Sequence, residues 1–140
     1  MNDSSHDISK GETVPSKEIR KVPVELAERS YDVSIGPGLL GEVGLIIART
    51  AGERISKRAV VITDSTVHQL YCSAVQDSLN RAGFKADCID FPAGEEHKNI
   101  RTYEVVMNSL LSLEPPIDRR SVILSLIHIS EPTRLGMISY

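Results

Sequence analysis

Apolar and polar residues alternate twice near the start of the chain. In "VPVEL", Val22, Val24 and Leu26 fall on one face; in "SYDVSI", Tyr31, Val33 and Ile35 do the same. A period of two marks half-buried strands, and the short "AERS" between them predicts a β-hairpin. The period then changes. Leu39, Leu40, Val43, Ile46, Ile47 and Thr50 recur at helical spacing, with Gly52 placed to end the helix. Gly41 and Gly44 lie inside this pattern. Each costs about 1 kcal/mol relative to alanine, and each permits a close approach of backbone.

"RAVVIT" is a compact β-branched run, the kind covered on both faces of a parallel sheet. Asp64 and Ser65 follow it as N-cap candidates. Val67, Leu70, Tyr71, Ala74, Val75, Leu79 and Ala82 then form a helical stripe ended by Gly83. "FKADCIDF" predicts a second strand. Ile100, Tyr103, Met107, Leu110 and Leu111 predict another helix, stopped by Pro115 and Pro116, and "SVILSLIHI" predicts a last strand. A hairpin followed by alternating helices and strands places the chain in the α/β class. The expectation is a Rossmann-like open sheet, mostly parallel, with an N-terminal β-hairpin. Ligands of such sheets sit outside the carboxyl ends of the strands. Two loops qualify: Asp64-Ser65-Thr66, and Ala93 to Lys98.

Composition removes some classes. The 140 residues carry a formal net charge of −3 and only 4% aromatics, with basic residues scattered rather than clustered. This excludes a nucleic-acid surface, which needs a basic footprint. No apolar run approaches the ~20 residues of a membrane helix, so no membrane partner is expected. Residues 1–21 are polar and mixed in charge, without the apolar core of a secretory signal, and predict a disordered tail. Cys72 and Cys88 lie apart with no ligand-like spacing and are read as buried thiols. The lack of a disulfide framework favours a reducing, cytoplasmic setting.

Three motifs carry candidate chemistry. "GPGLLG", Gly36 to Gly41, fits a dinucleotide-binding pattern, and an acid, Asp64, lies about twenty residues on. The strand before it reads as a hairpin arm, however, and proline fills the first variable position. It is therefore read as a Gly-Pro-Gly turn opening a helix. Asp64 has two open readings: a helix cap, or an acceptor for paired ribose hydroxyls, which suit a carboxylate. In "FPAGEEHKNIRT", Glu95 and Glu96 complement a helix N-terminus, whereas Lys98 in the same turn does not. Gly94 suggests an unusual backbone angle or a ligand approaching the chain. Glu95 suits hydroxyls and Lys98 suits phosphate or ribose oxygens; His97 by itself is a routine exposed imidazole.

"ERSYDVSIGPGLL", "VITDSTVHQLY", "LNRAGF" and "FPAGEEHKNIRTYEVVMNSLL", in that order, resemble the N-terminal domain of the 3-dehydroquinate synthase family. The likeness runs from about Val22 to Leu124, and "PAGEEHK" is its most specific piece. The resemblance implies an NAD- and metal-dependent carbon–oxygen lyase of the shikimate pathway. That enzyme converts 3-deoxy-arabino-heptulosonate 7-phosphate to 3-dehydroquinate and phosphate. It implies cofactor contacts by Asp64, with Thr66 nearby, and by the loop of Gly94, Glu95, Glu96, His97 and Lys98. It also implies a small-molecule substrate, a homodimer, and a zinc or cobalt ion. In the family, NAD oxidises a substrate hydroxyl so that phosphate can be eliminated, then returns the hydride.

The likeness then breaks. After "SVIL" the family continues with a glycine-rich loop that cradles the cofactor pyrophosphate through backbone N–H groups. Here Ile127, His128 and Ile129 stand at that place. β-Branched side chains there would block close approach of phosphate. "SLIHISEPTR" resembles translated adapter or vector sequence, and residues 125–140 are expected to be a non-native tail. The expectation is thus an NAD-binding domain over 22–124, with the helical metal-binding domain missing. No catalytic residue or metal ligand is expected in this chain, and it should be inactive alone. The alternatives are a related sugar-phosphate cyclase, a polyol or iron-type alcohol dehydrogenase, or a non-catalytic nucleotide-binding α/β module.

Overall fold

The computed structural model describes residues 18–127. Most of the expected N-terminal tail, and everything from residue 128 on, including His128 and Ile129, lie outside the described residues. The chain divides into two compact units, one ending at Leu39 and one beginning at Leu40.

The first unit contains the hairpin. Strand β1 (Arg20–Val24) pairs antiparallel with β2 (Tyr31–Ile35). The strand begins at Arg20, inside the segment expected to be a tail. Val22 faces Val33, so the alternating apolar positions meet across the pair. The connection is a 3-10 turn, Ala27–Arg29, closed by Ser30, whose hydroxyl donates to Ala27 O at 2.8 Å.

The second unit is an α/β layer structure. Strands β3 (Arg58–Asp64), β4 (Lys85–Phe91) and β5 (Val122–Leu126) form a parallel sheet in the order β4-β3-β5. The β-branched run of β3 is central, and Ala59, Val60 and Val61 are fully buried. Successive side chains of a strand point to opposite faces. Accordingly, Ala59 and Val61 join Cys72, Val75, Leu79 and Phe84 in one core, and Val60 joins Ile89, Val106 and Leu110 in the other. Each large aliphatic among these contributes about 1.5–3 kcal/mol by burial.

Four helical stretches cover the sheet. Helix α1 (Val43–Ala51) packs on α3 (Ser73–Arg81). The short α2 (Ser65–Val67) runs into α3 through a π turn, His68–Cys72. Helix α4 (Ile100–Leu111) covers the other face. Gly44 explains the close approach of α1: a Cβ there would meet Ser78 O at 2.3 Å. Gly41 is different, with nothing within 4 Å of such a Cβ. Among the described residues, no helix is long and apolar enough to cross a membrane.

Three expectations need correction. The stripe through Leu70 and Tyr71 shifts, because the π turn adds a residue and carries the buried face from Val67 to Cys72; Leu70 is 60% exposed. In α4 the buried positions are Val106 and Leu110, whereas Ile100, Tyr103 and Leu111 face out. Finally, Cys72 and Cys88 are not separate thiols but a disulfide, with Cα atoms 6.9 Å apart. A helix and a returning strand bring together two residues that sequence spacing keeps apart. Cysteine usage therefore no longer argues for a reducing setting.

Candidate functional site: the mouth of the parallel sheet

The three parallel strands end together at Asp64, Phe91 and Leu126. Their carboxyl ends open into a cleft of about 560 Å³. Asp64, Thr66, Gly94, Glu95 and Lys98 line it, as do Ser125, Leu126 and Ile127 from the last strand. The sequence therefore names residues from two separate loops that the fold brings to one place.

Asp64 ends β3 in extended conformation and caps α2. Its Oδ1 accepts from the N–H groups of both Thr66 and Val67 at 2.9 Å. Among the described residues, no hydrogen bond reaches its other oxygen, Oδ2. The cap and a ligand contact are thus compatible readings of one carboxylate, since each oxygen serves a different partner.

The second loop is not the start of α4. Glu95–His97 form a separate 3-10 turn, and α4 begins after Asn99. Asn99 caps it, with Oδ1 accepting from Thr102 N at 3.0 Å, while its Nδ2 donates to Glu96 O at 2.9 Å. Gly94 enters the turn at φ 119°, a conformation that L side chains rarely adopt. A Cβ there would also meet the Glu96 carboxylate at 2.5 Å. Glu95 and Lys98 form an exposed ion pair across the turn. Such a pair contributes 1 kcal/mol at most, so a ligand can open it easily.

Glu96 and His97 stand apart from the other site candidates. The Glu96 carboxylate lies 3.6 Å from His97 Nε2. His97 faces a neighbouring apolar groove lined by Ile62, Phe91, Ile100 and Tyr103. Neither residue lines the strand-end cleft.

Two positioning contacts were not legible in the sequence. Ser65 Oγ accepts from Ala93 N at 3.2 Å, which ties the two strand-end loops together. Thr63, almost fully buried, donates from Oγ1 to Leu126 O at 2.8 Å and holds the end of β5 against β3. Both partners are distant in sequence, so no local spacing signals them. Leu126 also packs against the first core. Ordered pairing thus runs two residues past Leu124.

No family model matches the chain. Curated relatives do. It is 38% identical over 108 residues to the 3-dehydroquinate synthase of Agrobacterium fabrum, covering 76% of this chain and 27% of that protein. It is 41% identical over 95 residues to the 3-dehydroquinate synthase of Caulobacter vibrioides, covering 68% and 25%. The 3-dehydroquinate synthase of Citrifermentans bemidjiense gives 37% over 106 residues, covering 76% and 28%. The chain spans about a quarter of the length of these relatives.

Proposed function

The matched stretch belongs to the 3-dehydroquinate synthase family, and from that premise we propose that its strand-end cleft holds the ribose side of NAD. The carrying observation is the Asp64 carboxylate. One oxygen is fixed by two backbone N–H groups, and the residue lines the same cleft as Gly94, Glu95 and Lys98. A carboxylate with one oxygen locked is pre-oriented to accept hydroxyl protons through the other.

The residues present fit part of the cofactor. Asp64 Oδ2 would accept from a ribose hydroxyl. Lys98, released from Glu95, would face a phosphate oxygen, and Glu95 would then be free for a second hydroxyl. Gly94 keeps its part of the loop free of a side chain. At the exit of β5 the fit fails: Ile127 lines the cleft and is 73% exposed, which leaves a branched side chain where a pyrophosphate needs bare backbone. When bound, NAD supplies a hydride acceptor that becomes a donor. Among the described residues, the cleft offers two carboxylates, Asp64 and Glu95, and no imidazole. That set does not fit the zinc or cobalt ion implied by the resemblance.

For the whole protein the reading is conversion of 3-deoxy-arabino-heptulosonate 7-phosphate to 3-dehydroquinate plus phosphate in the shikimate pathway. Among the described residues, those lining the cleft suit the holding of the cofactor's ribose side. Alone the chain should release no phosphate. Its affinity for NAD should be no better than roughly millimolar, because several charge-assisted hydrogen bonds to pyrophosphate are missing.

An NMR titration of NAD tests this. Amides of Asp64 to Val67 and Gly94 to Lys98 should shift. Asp64→Asn keeps the capping oxygen and replaces the other with a donor. It should weaken binding about fivefold, the equivalent of one lost hydrogen bond, without lowering stability. Equal affinities in the two proteins would remove Asp64 from the site.

A further inference from the structure

The π turn places a second group of chemically active side chains on the opposite flank of β4 from α4. His68 and Cys72 are its first and last residues. Cys88 and Asp90 are alternate residues of β4, so they share the face that meets the turn. The ligating atoms of His68, Cys72 and Cys88 all lie within 4.8 Å of one another. His68 Nδ1 is 3.6 Å from Cys88 Sγ and 3.5 Å from Asp90 Oδ1. A single ring nitrogen therefore sits between a sulfur and a carboxylate.

Burial is graded across the group. Cys72 is 1% exposed, whereas the side chains of His68 and Asp90 are 39% and 47% exposed. Cys72 forms a closed floor, Cys88 is partly buried, and the imidazole–carboxylate rim is open to solvent. Among the described residues, β4 is an edge strand of its sheet.

We propose that reduction of the Cys72–Cys88 bond turns this group into a site for a zinc-class divalent cation, held by His68, Cys72, Cys88 and Asp90. Two thiolates, an imidazole and a carboxylate are all ordinary ligands of this ion. A tetrahedral site with metal–ligand bonds of about 2.0–2.3 Å spaces its donors roughly 3–4 Å apart. The nitrogen–sulfur and nitrogen–oxygen separations already lie in that range. Reduction lets the sulfurs part, and the exposed Asp90 carboxylate, which lies outside the 4.8 Å cluster of His68, Cys72 and Cys88, swings in to complete the set. The π turn also has a rationale, since such turns are frequent at functional sites. Here it rotates Cys72 inward in place of Tyr71.

The chemistry balances in two steps. A dithiol reductant supplies two electrons and two protons; the Cys72–Cys88 bond breaks and the reductant leaves as its own disulfide. The cation then binds both sulfurs as thiolates, and the two thiol protons pass to water. In reverse, a small-molecule disulfide takes two electrons from the bound thiolates, the Cys72–Cys88 bond re-forms, the ion is released, and the oxidant leaves as two thiols with protons from water.

The full chain, oxidised and reduced, is titrated with Zn²⁺ against a chromophoric chelator and with Co²⁺ as a spectroscopic probe. The reduced protein should bind one ion, show a thiolate-to-cobalt charge-transfer band, and release about two protons per Zn²⁺ in weak buffer. The oxidised protein should bind at least about a hundredfold more weakly, as should Cys88→Ser. His68→Ala and Asp90→Asn alter only the open rim, and should weaken binding by about tenfold or more. Reduced protein that binds no Zn²⁺, or binds it as the His68→Ala variant does, overturns the proposal. If reduction unfolds the chain, recovery of its circular dichroism on adding Zn²⁺ supports the site, and failure to recover refutes it.

Discussion

Gly44 and Ser78 are joined both by contact and by hydrogen bond. The Gly44 amide donates to Ser78 Oγ at 3.1 Å, and that hydroxyl donates onward to Gly41 O at 2.9 Å. The backbones of α1 and α3 come so close that a methyl group on Gly44 would fall 2.3 Å from Ser78 O.

Gly44→Ala should therefore destabilise the protein by about 2–3 kcal/mol, since the obstructing atom is backbone and cannot rotate away. Gly41→Ala is the control. Its Cβ would meet nothing within 4 Å, and the loss of unfolded-state freedom should make it neutral or stabilising by up to about 1 kcal/mol. Urea denaturation of both variants measures the difference; equal midpoints would show that the helices shift apart at no cost.

Arg58 provides a second test. It is 6% exposed and pairs with Asp87. It also donates from Nε to Pro115 O at 3.1 Å and from Nη1 to Lys85 O at 3.3 Å. Arg58→Ala strips partners from a carboxylate and two carbonyls at once. A loss of about 2–4 kcal/mol is expected. Asp87→Asn should cost less, because its side chain is about a third exposed and the two carbonyl bonds survive. Thermal unfolding of both variants gives the order; a milder effect for Arg58→Ala would contradict it.

Asp118 predicts a pH dependence. The Ser121 hydroxyl, then the Arg120 amide, hold its carboxyl below the ordinary value of 3.8, with a smaller contribution from Ser56. A depressed carboxylate contributes stability that is present above the unfolded value and lost as pH falls through the folded one. The melting temperature of wild type should exceed that of Asp118→Asn at about pH 5, and the gap should close towards about pH 2. A gap that stays constant would mean that the charge has no part in the turn.

The sequence made the architecture legible where local periodicity agrees with burial. The run Ala59-Val60-Val61 reads as a central strand because it is apolar on both faces, and it is one. The helical stripes were less faithful. Leu70 and Tyr71 fit an ideal period, but a π turn adds a residue and buries Cys72 instead. Ile100 and Tyr103 fit a period too, yet α4 turns them outward. Residue type and position after a strand were enough to place Asp64, Thr66, Gly94, Glu95 and Lys98 at one cleft, whereas Glu96 and His97, grouped with them by sequence, lie outside its lining. The Ser65–Ala93 and Thr63–Leu126 bonds were not visible, nor was the Cys72–Cys88 pair. Each joins residues whose proximity exists only after the sheet has formed.

The strand order β4-β3-β5 has a kinetic consequence. Pairing β3 with β4 joins Arg58 to Lys85, 27 residues away, whereas pairing it with β5 joins Thr63 to Leu126, 63 residues away. Loop-closure entropy penalises the longer closure by about 0.7 kcal/mol more, before any helix in the intervening chain has formed. The β3–β4 crossover should assemble early and β5 should dock late. Pulsed hydrogen exchange during refolding would show β4 amides protected before those of Val122 to Leu126, and the reverse order would reject this sequence of events. A chain caught between the two steps has its central strand open along one side. It would then present the unpaired backbone of β3 to any extended segment, so the slow arrival of β5 sets how long the molecule is exposed to aggregation.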